Sequence, residues 1–491
     1  MARQPLASQG RLHGTVAGST WHAPGTLTLD NARRVLAAMW HFVNTQNRRR
    51  SSATPRRARQ ISLNFSQRVK ELTIGRKRTV HIRPIRNLED WAPLADAMNA
   101  LCGGVPFRRY EWLAAWWRHF GPGICRGRAN EATPAGELLV LAVHDSDGSL
   151  VGLAPWYLSR TLADGRAIRF LGSGIVCSDY LSLLAREGRE TDVAWAVADW
   201  LAARTDLWDL IELSGVDAQD IAVPELGRRL TGAGNETHFF SGPNCWRAEL
   251  PRTWDAYLAT LVASKRQRAR RLQRRLLDTG RAAIRVIDDV ARWDEGFAVF
   301  QQLHQKRRTS IGDPGCFATP EFGRFLNEAG RELLRSEHAV MLVLEIDGAP
   351  AAAEYNLLGG GIAYFYQAGI DPDRLADQPG HMLTAARIER IIYRGYRALD
   401  FLRGDEPYKA QWGAKARPLM TMRVVRRRPA ARLRHQVWVW ERHARRLARQ
   451  SVSAAEQWGR KMQEIGSELA GRARRRTTYS TAVPKTEHPG R

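Results

Sequence analysis

The middle of the chain carries strand-like runs of apolar residues at two places, and the two stretches look alike. The stretch ELLVLAVHDSDGSLVGLAPWYL (137–158) consists of two apolar runs joined by Asp-Gly, and AVMLVLEIDGAPAAAEYNLL (339–358) has the same arrangement. An Asp-Gly pair between two apolar runs is a strong signal for a β-hairpin. The pattern therefore predicts two equivalent hairpins far apart in the sequence.

The segments around the two hairpins also correspond. Each hairpin follows segments with the apolar spacing of a helix, and each precedes a strand, a helix and a further strand. The predicted elements are helices 87–100 and 109–119, strand 167–172, helix 188–203 and strand 208–215 in the first half, and helices 290–308 and 320–335, strand 362–369, helix 380–395 and strand 398–404 in the second. Such a repeated order predicts a duplicated α/β domain, with residues 80–250 as the first copy and residues 251–425 as the second.

The positive charge of the chain lies at its two ends. The net charge is +25, but residues 81–425 contain 43 basic and 43 acidic residues. Residues 1–80 have 15 Lys/Arg and 2 Asp/Glu, and residues 426–491 have 17 and 5. A neutral middle argues against a nucleic acid as partner, because folds that bind nucleic acids carry the positive charge on the fold itself.

The ends are predicted to contribute little to the folded core. Residues 1–79 are rich in Arg, Ser, Gly, Thr and Gln, a composition that cannot bury enough apolar area to offset the entropy of ordering, so we expect a disordered basic extension. Residues 426–491 are expected to form a basic helix over about 430–469 and a disordered tail over 471–491. These basic tails leave peripheral contact with a membrane open.

The predicted C-terminal helix has an apolar stripe that could serve either of two purposes. Leu433, Val437, Trp440 and Leu447 recur at helical spacing with arginines between them. The pattern favours packing of this stripe on the core, and the alternative is a face that lies on a membrane surface.

The cysteines and the apolar runs exclude several classes of protein. Five cysteines are scattered without a CxxC pair or a histidine at metal-ligand spacing, which predicts reduced thiols, no metal site and a cytoplasmic protein. No apolar run approaches the roughly 18 residues of a membrane span, and the N-terminus lacks the apolar segment of a secretory signal.

A basic segment joins the two predicted copies. SKRQRARRLQRR (264–275) falls within a predicted helix over 253–280 whose apolar residues recur at helical spacing. The stripe predicts one face on the core. The cationic remainder is either a solvated surface or a site for the phosphates of a cofactor or a nucleic acid.

The most informative stretch is residues 364–413, where a strand leads into Gln378-Pro379-Gly380 and then a long amphipathic helix. Proline at a helix start fixes φ, and glycine allows another molecule to approach the free N–H groups of the first turn. Together with the positive end of the helix dipole, this start suits pyrophosphate. The alternative is an ordinary helix start.

The segment ALDFLRGDEPYKAQWG (398–413) adds candidate acid–base chemistry. Asp400 lies in an apolar strand, and Tyr408 and Lys409 follow on the next turn or short helix. A carboxylate, a phenol and an ammonium beside an anion-binding helix start form a plausible acid–base cluster. The structural alternative is a buried ion pair of Asp400 with Lys409 and simple packing of Tyr408.

This order of strand, Pro-Gly start, long helix, DFLRG strand and Tyr-Lys resembles the CelD-like GNAT acetyltransferases. That family is named for cellulose biosynthesis and is related to the tandem-GNAT FemAB transferases. The resemblance covers about residues 80–425, including FLGSGIVCSDYLSLL (170–184) and LHQKRR (303–308), and is most specific over residues 400–412. It implies an α/β fold of two tandem GNAT-like acyl-CoA N-acyltransferase domains between the basic tails.

The resemblance also implies a donor, an acceptor and site residues. Acetyl-CoA or another acyl-CoA would donate its acyl group to an amine or hydroxyl of a small molecule or saccharide, with exopolysaccharide or cellulose biosynthesis as the expected setting, and no metal is needed. The residues expected at the pyrophosphate are Gln378, Pro379, Gly380, His381, Met382 and Leu383. Of the glycines of the family's phosphate-binding loop, only Gly380 is present.

Five residues are candidates for the chemistry of acyl transfer. Tyr408 would protonate the departing thiolate, Asp400 or His304 would act as base or orient it, and Lys409 would hold a phosphate or Asp400. A lone helical histidine among charged neighbours such as His304 is more often a surface residue. Glu354 is the other carboxylate to test, and its structural alternative is an ion pair at a strand edge.

Two other functions remain open from the sequence. One is a FemAB-like transfer of an aminoacyl group from aminoacyl-tRNA, in which the basic helix and tails would hold the RNA. The other is a degenerate GNAT pair that binds partners in a polysaccharide apparatus without catalysis, as the missing glycines suggest.

Overall fold

The computed structural model describes residues 80–125 and 136–444. The disorder predicted for residues 1–79 and 471–491, and the predicted helix beyond residue 444, lie outside the described residues. The helices are α1 (Leu88–Trp91), α2 (Ala95–Ala100), α3 (Tyr110–Cys125), α4 (Glu190–Ala202), α5 (Ala222–Gly232), α6 (Trp254–Thr260), α7 (Ala263–Leu272), α8 (Trp293–Thr309), α9 (Pro320–Arg335), α10 (Pro379–Tyr393), α11 (Pro407–Gln411) and a last helix, α12, over the described residues 429–444.

Thirteen strands form one mixed sheet across the described residues. They are β1 (Val80–Ile85), β2 (Gly136–Asp145), β3 (Leu150–Thr161), β4 (Gly165–Phe170), β5 (Leu184–Ala185), β6 (Leu210–Asp217), β7 (Glu236–Glu249), β8 (Ala282–Ile287), β9 (Ala339–Ile346), β10 (Ala349–Gly359), β11 (Ile362–Ile370), β12 (Ala398–Arg403) and β13 (Lys415–Val425). Their spatial order is β1-β2-β3-β4-β6-β13-β7-β12-β11-β10-β9-β8, with β5 beside β3. The two ends of this sheet are therefore blocks with the same strand order read outward from the centre.

The repeated order predicted from the sequence is present in both blocks. The hairpins β2–β3 and β9–β10 are antiparallel, and Gly148 and Gly348 in their turns have positive φ, as an Asp-Gly turn requires. In each block the strand after the hairpin then pairs in parallel with the strand that follows the next helix, β4 with β6 and β11 with β12. Both parallel pairings extend over only three residue pairs.

The last strand of each block is exchanged with the other block. β7 follows the first block in sequence but pairs with β12 of the second, and β13 follows the second but pairs with β6 of the first. β7 and β13 also pair with each other along most of their length. The exchange joins both halves into one continuous sheet, and the boundary predicted near 250 falls at the end of the exchanged strand β7.

Helices of the two halves pack against each other as well. α3 of the first half lies against α9 of the second, with the ring of Trp112 edge-on to Phe325 at 4.8 Å and the His119 ring 2.7 Å from a Glu328 carboxylate oxygen. One hydrophobic core cluster contains buried residues of both halves. The halves are therefore held by shared strands and by shared core.

The prediction of one basic helix over 253–280 is wrong. α6 ends at Thr260, Leu261 and Val262 have extended backbone, and α7 starts at Ala263 and continues into a wider π turn over Gln273–Leu277. The break allows the two ends of the segment to bury their side chains in different clusters. Leu258 and Leu261 pack in one cluster and Leu272 and Leu276 in another.

The apolar stripe of the C-terminal helix does not pack on the core, which corrects the favoured prediction. α12 contacts the sheet through its opposite face, where His435 is buried and stacks on His238 at 4.3 Å between ring centres. Leu433, Val437 and Trp440 are exposed. The face of the helix that carries His435 packs against the aromatic ring of His238 on β7. The apolar stripe, on the opposite face, therefore points away from the sheet.

Candidate functional site

A cavity of about 620 Å³ opens where β11 and β12 diverge. The two strands pair from Ile362 with Ala398 to Tyr364 with Asp400 and then separate. Backbone groups beyond these pairs no longer face a strand partner on that side, so a molecule can enter between the strands and bond to them. The cavity is lined by residues of both strands, of the start of α10 and of α11.

Irregular backbone at both strands accompanies the separation. The β10–β11 register shifts beside Asn356 and leaves Tyr366 as an extra residue in β11, and the β12–β7 register shifts between Asp400 and Arg403. Such bulges bend a strand and re-aim its side chains. In β12 the bulge contains Leu402 with φ of 57°.

Lys409 stabilises the bulge in β12. Its ammonium donates to the carbonyl oxygens of Leu402, Arg403 and Gly404 at 3.2, 2.8 and 3.1 Å, and it also pairs with Glu406 at 2.9 Å. A buried ammonium needs such acceptors, because leaving it unpaired would be costly. Lys409 therefore lines the cavity as a residue that holds the end of the strand.

A loop of the first half forms one wall of the cavity of the second. Cys177 and Asp179, which lie between β4 and β5, line it together with Arg403. The Asp179 carboxylate is buried and accepts from Nε of Arg403 at 2.7 Å. The hydroxyl of Tyr180 donates to Asp400 at 2.6 Å.

Left-handed backbone is concentrated around this cavity. Six described residues other than glycine have positive φ. Four of them line the cavity or adjoin a lining residue: Cys177, Tyr180, Gln378 and Leu402. Such conformations cost about 1–3 kcal/mol each and cluster at functional sites, where the surrounding structure holds them in place.

The start of α10 forms the cationic end of the cavity. The helix begins at Pro379, and Gly380 and His381 of its first turn line the cavity. Arg268 on α7 reaches across and donates from Nε to the Gln378 amide oxygen at 2.8 Å. Arg268 has no carboxylate partner among the described residues, so its charge is available to an anion at the helix start.

His381 does not add to that positive charge at neutral pH. Burial lowers its pKa to about 4, and the neighbouring charges of Arg268 and Lys265 act in the same direction. The imidazole is therefore neutral at pH 7. The helix end and Arg268 supply the attraction for an anion.

Most of the residues predicted for the site line this one cavity. They are Glu354, Gln378, Pro379, Gly380, His381, Leu383, Tyr408 and Lys409. Met382 points instead into a hydrophobic cluster, because it lies on the inner face of α10. Asp400 and His304 are buried behind the cavity wall and do not line it.

Tyr408 is a neutral phenol at the cavity. Burial raises its pKa to about 12, the Arg387 guanidinium opposes this, and the carboxylates of Glu406 and Glu354 contribute to it. Its ring lies edge-on to Phe401, 6.0 Å between centres. A phenol with this pKa keeps its proton at pH 7 and can donate it.

Glu354 is an interior carboxylate, so the expectation of a pair at a strand edge is wrong. It lies in β10 between β9 and β11, where one oxygen accepts from Arg387 at 2.7 Å and the other from the Asn356 amide at 3.1 Å. Burial raises the pKa of Glu354, against the lowering effect of Arg387. It is the buried carboxylate of the second half that faces the cavity.

The predicted partners of Asp400 and the predicted surface position of His304 are wrong. Asp400 accepts from Tyr180 and from Nε of Arg247 at 3.0 Å, whereas Lys409 bonds to backbone carbonyls. His304 is buried because Gly369 on β11 has no side chain to keep α8 away. Burial lowers the pKa of His304.

Sequence reasoning missed Asp179, Arg403 and Arg268 as site residues. Asp179 lies in the stretch 170–184 that carries the family resemblance, and Arg268 lies in the basic segment for which phosphate binding was one interpretation. Nothing in either pattern showed that these two distant segments meet at one cavity.

Within the part of the chain that the structure describes, no group of three or more His, Cys, Asp or Glu could hold a metal ion.

If the start of α10 holds the pyrophosphate of acetyl-CoA, as the family resemblance implies, Gly380→Ala should weaken the binding of acetyl-CoA. The added Cβ would lie 2.7 Å from Cδ1 of Ile370, so the variant also loses some stability. The double variant Gly380→Ala/Ile370→Val removes that methyl group and should restore the melting temperature while the affinity stays low. An affinity that returns together with the melting temperature would show that only packing was disturbed.

Comparison with known proteins finds that part of the chain is similar to a described family model. Residues 263–410 match the family model described as "Acetyltransferase (GNAT) domain". No curated protein matches the chain significantly. This match and the repeated strand order confirm the predicted mixed α/β fold with GNAT-like domains.

Several solved structures are similar in fold at low sequence identity. FemX is 11% identical, with 66% of this chain and 95% of that chain covered and a TM-score of 0.49. The C-terminal domain of a putative lysylphosphatidylglycerol synthetase from Agrobacterium fabrum is 12% identical, with 70% and 95% covered and a TM-score of 0.42. A tandem GNAT protein from the clavulanic acid biosynthesis pathway is 14% identical, with 72% and 99% covered and a TM-score of 0.36.

Proposed function

We propose that the cavity between β11 and β12 binds an acyl-CoA thioester and that the protein transfers its acyl group to an amine or hydroxyl. The observation that carries this proposal is the arrangement around the diverging strands. A helix start with a guanidinium that has no carboxylate partner among the described residues lies at one side of the opening, and a neutral phenol lies at another. These are the groups that a phosphate-bearing thioester requires.

The donor fits the charges and the size of the cavity. Its pyrophosphate would lie at the first turn of α10, held by the backbone N–H of Gly380 and by Arg268, since Pro379 has no N–H and those of His381 and Met382 donate to the Gln378 carbonyl oxygen. The aromatic and aliphatic walls formed by Phe365, Phe401 and Leu383 suit the pantetheine arm. Unpaired backbone groups of β11 are available to its amides and to the thioester oxygen.

The proton transfers can be assigned to two residues of the cavity. The attacking amine or hydroxyl loses a proton as its bond to the acyl carbon forms, and we propose Glu354, a carboxylate that lines the cavity, as the group that accepts it. The carbon–sulfur bond breaks as the thiolate departs, and Tyr408 supplies its proton. We assign Asp400 and Lys409 to holding β12 in shape, because Asp400 accepts from Tyr180 and Arg247 and Lys409 donates to backbone carbonyls at the end of β12.

The acceptor is proposed only as a class. A small molecule or saccharide bearing an amine or hydroxyl, in exopolysaccharide or cellulose synthesis, follows from the CelD-like resemblance. We place the reaction in the cytoplasm, where acyl-CoA is available. No helix among the described residues is long and apolar enough to cross a membrane.

One observation favours the aminoacyl-tRNA alternative. α7, which contributes Arg268 to the cavity, also exposes Arg270 and Arg271 to solvent, and such a basic surface suits a polyanion. The two donors make different demands on this helix. Acyl-CoA needs Arg268 alone at the helix start, whereas RNA would contact the exposed arginines as well.

Titration calorimetry of the full chain with acetyl-CoA tests the proposal. We expect Arg268→Ala to weaken binding about 10- to 100-fold, since a hydrogen bond to a charged group contributes about 1.5–3 kcal/mol. Arg271→Ala is the matched control, because it removes the same charge from the exposed side of the same helix and should leave the affinity unchanged. Binding of tRNA but not acetyl-CoA, weakened equally by both variants, would refute the proposal and support the alternative.

A further inference from the structure

The outward face of α12 carries an apolar stripe that the proposed function does not use. Leu433, Val437 and Trp440 are 68%, 52% and 57% exposed, and they lie opposite the face that packs on the sheet. The β3–β4 turn, where Leu162 is 77% exposed, lies beside the helix, because Arg434 of the helix donates to the Leu162 carbonyl oxygen at 3.2 Å. Exposed apolar side chains grouped on one face of a helix mark a candidate interaction surface.

Cationic side chains lie on the helix that carries the stripe and just before it. Arg427 and Arg434 have no carboxylate partner among the described residues, and both lie at or near the helix. Residues 426–491 as a whole contain 17 Lys/Arg and 5 Asp/Glu. The partner of this face should therefore combine an apolar layer with negative charge.

We propose that α12 lies in the surface of a membrane that contains anionic lipids, with Leu433, Val437, Trp440 and Leu162 in the acyl-chain boundary. An aliphatic and tryptophan stripe flanked by arginines is the composition of interfacial helices. Each arginine near an anionic surface adds electrostatic attraction that falls off within a Debye length. The association is peripheral and depends on both the apolar stripe and the charge.

The size of the patch favours lipid over a second copy of the chain. Four exposed side chains offer a few hundred Å², well below the roughly 800 Å² per partner of a stable protein interface. A lipid surface needs no such area, because the cationic residues around the helix contribute along with the buried side chains. This inference does not rest on the proposed acyl transfer.

Co-sedimentation of the full chain with lipid vesicles tests the proposal. Vesicles of phosphatidylcholine mixed with phosphatidylglycerol should bind the protein, vesicles of phosphatidylcholine alone should bind it far less, and added salt should weaken the binding. The variant Leu433→Ser/Val437→Ser/Trp440→Ser should lower the partition coefficient at least tenfold. Its melting temperature should be unchanged, since the three side chains are exposed.

The matched control is Ile221→Ser/Ile311→Ser/Tyr393→Ser, which removes three exposed apolar side chains elsewhere on the surface. It should bind like the wild type. Equal binding of the stripe variant and the control would overturn the proposal, because the basic tails alone would then account for binding. Failure of the wild type to bind anionic vesicles would overturn it too, as would a dimer in sedimentation velocity that the stripe variant converts to monomer.

Discussion

Replacing Tyr408 by phenylalanine should lower the turnover about 100-fold and leave the affinity for acetyl-CoA unchanged. General acid catalysis contributes about 10²–10⁴-fold, and water can replace part of the lost donor, so the lower end applies. The phenol, with a pKa of about 12, holds its proton at neutral pH. Burial also raises the pKa of a departing thiolate, which brings donor and acceptor closer in proton affinity.

Turnover is measured as release of the free thiol of coenzyme A in the presence of an acceptor amine, and affinity by calorimetry. Tyr393→Phe serves as control, because Tyr393 is an exposed tyrosine at the end of α10 and should have no effect. Full turnover of Tyr408→Phe would remove the acid assignment. A loss of acetyl-CoA affinity equal to the loss of turnover would instead make Tyr408 a binding residue.

The local part of the fold could be predicted from the sequence because its signals are local. The Asp-Gly pair at 347–348 specifies the turn of a hairpin on its own, and the apolar spacing of residues 380–395 specifies a helix. The elements expected around the two hairpins are present with ends shifted by a few residues, except that the helix predicted over 87–100 is divided into α1 and α2 by a 3-10 turn over Ala92–Leu94. Each of these predictions depended on fewer than about twenty consecutive residues.

The exchange of strands could not be predicted, because no local pattern distinguishes two possible neighbours. The sequence of β7 is compatible with pairing inside its own half and with pairing to β12 of the other half, which is the pairing observed. The pairing is decided by packing of the completed sheet. A duplicated pattern predicts two copies of a domain, but it does not indicate in which copy the last strand of each pairs.

The candidate site could be predicted only where its residues are close together in the sequence. Residues 378–383 and Tyr408 belong to one stretch in which a helix start and the following strand are adjacent by topology. The partners of Asp400 are not in that stretch. Tyr180 and Arg247 come from a loop and an exchanged strand of the first half, and nothing in the pattern near Asp400 selects them over Lys409, which lies closer in sequence.

Replacing Asp400 by asparagine should lower the free energy of unfolding by about 3–5 kcal/mol, the usual cost of removing one partner from a buried ion pair. The carboxylate is fully buried and accepts three hydrogen bonds, from Tyr180, Arg247 and the backbone N–H of Leu402. An amide of the same shape must present N–H groups to one of these donors and leaves the Arg247 charge without its partner. We expect the effect in urea unfolding of the full chain.

The same variant separates a structural role from a chemical one, because Asp400 lies behind the cavity wall. Its turnover per folded molecule should stay near that of the wild type, whereas Tyr408→Phe should show the reverse pattern of normal stability and low turnover. Asp405→Asn is the matched control: this nearby carboxylate is exposed and should change stability little. A stable Asp400→Asn protein that has lost its turnover would refute the structural assignment and make Asp400 part of the chemistry. With the expected result, the contacts of Asp400 with Tyr180 and Arg247 tie the first half of the chain to the shape of the cavity in the second.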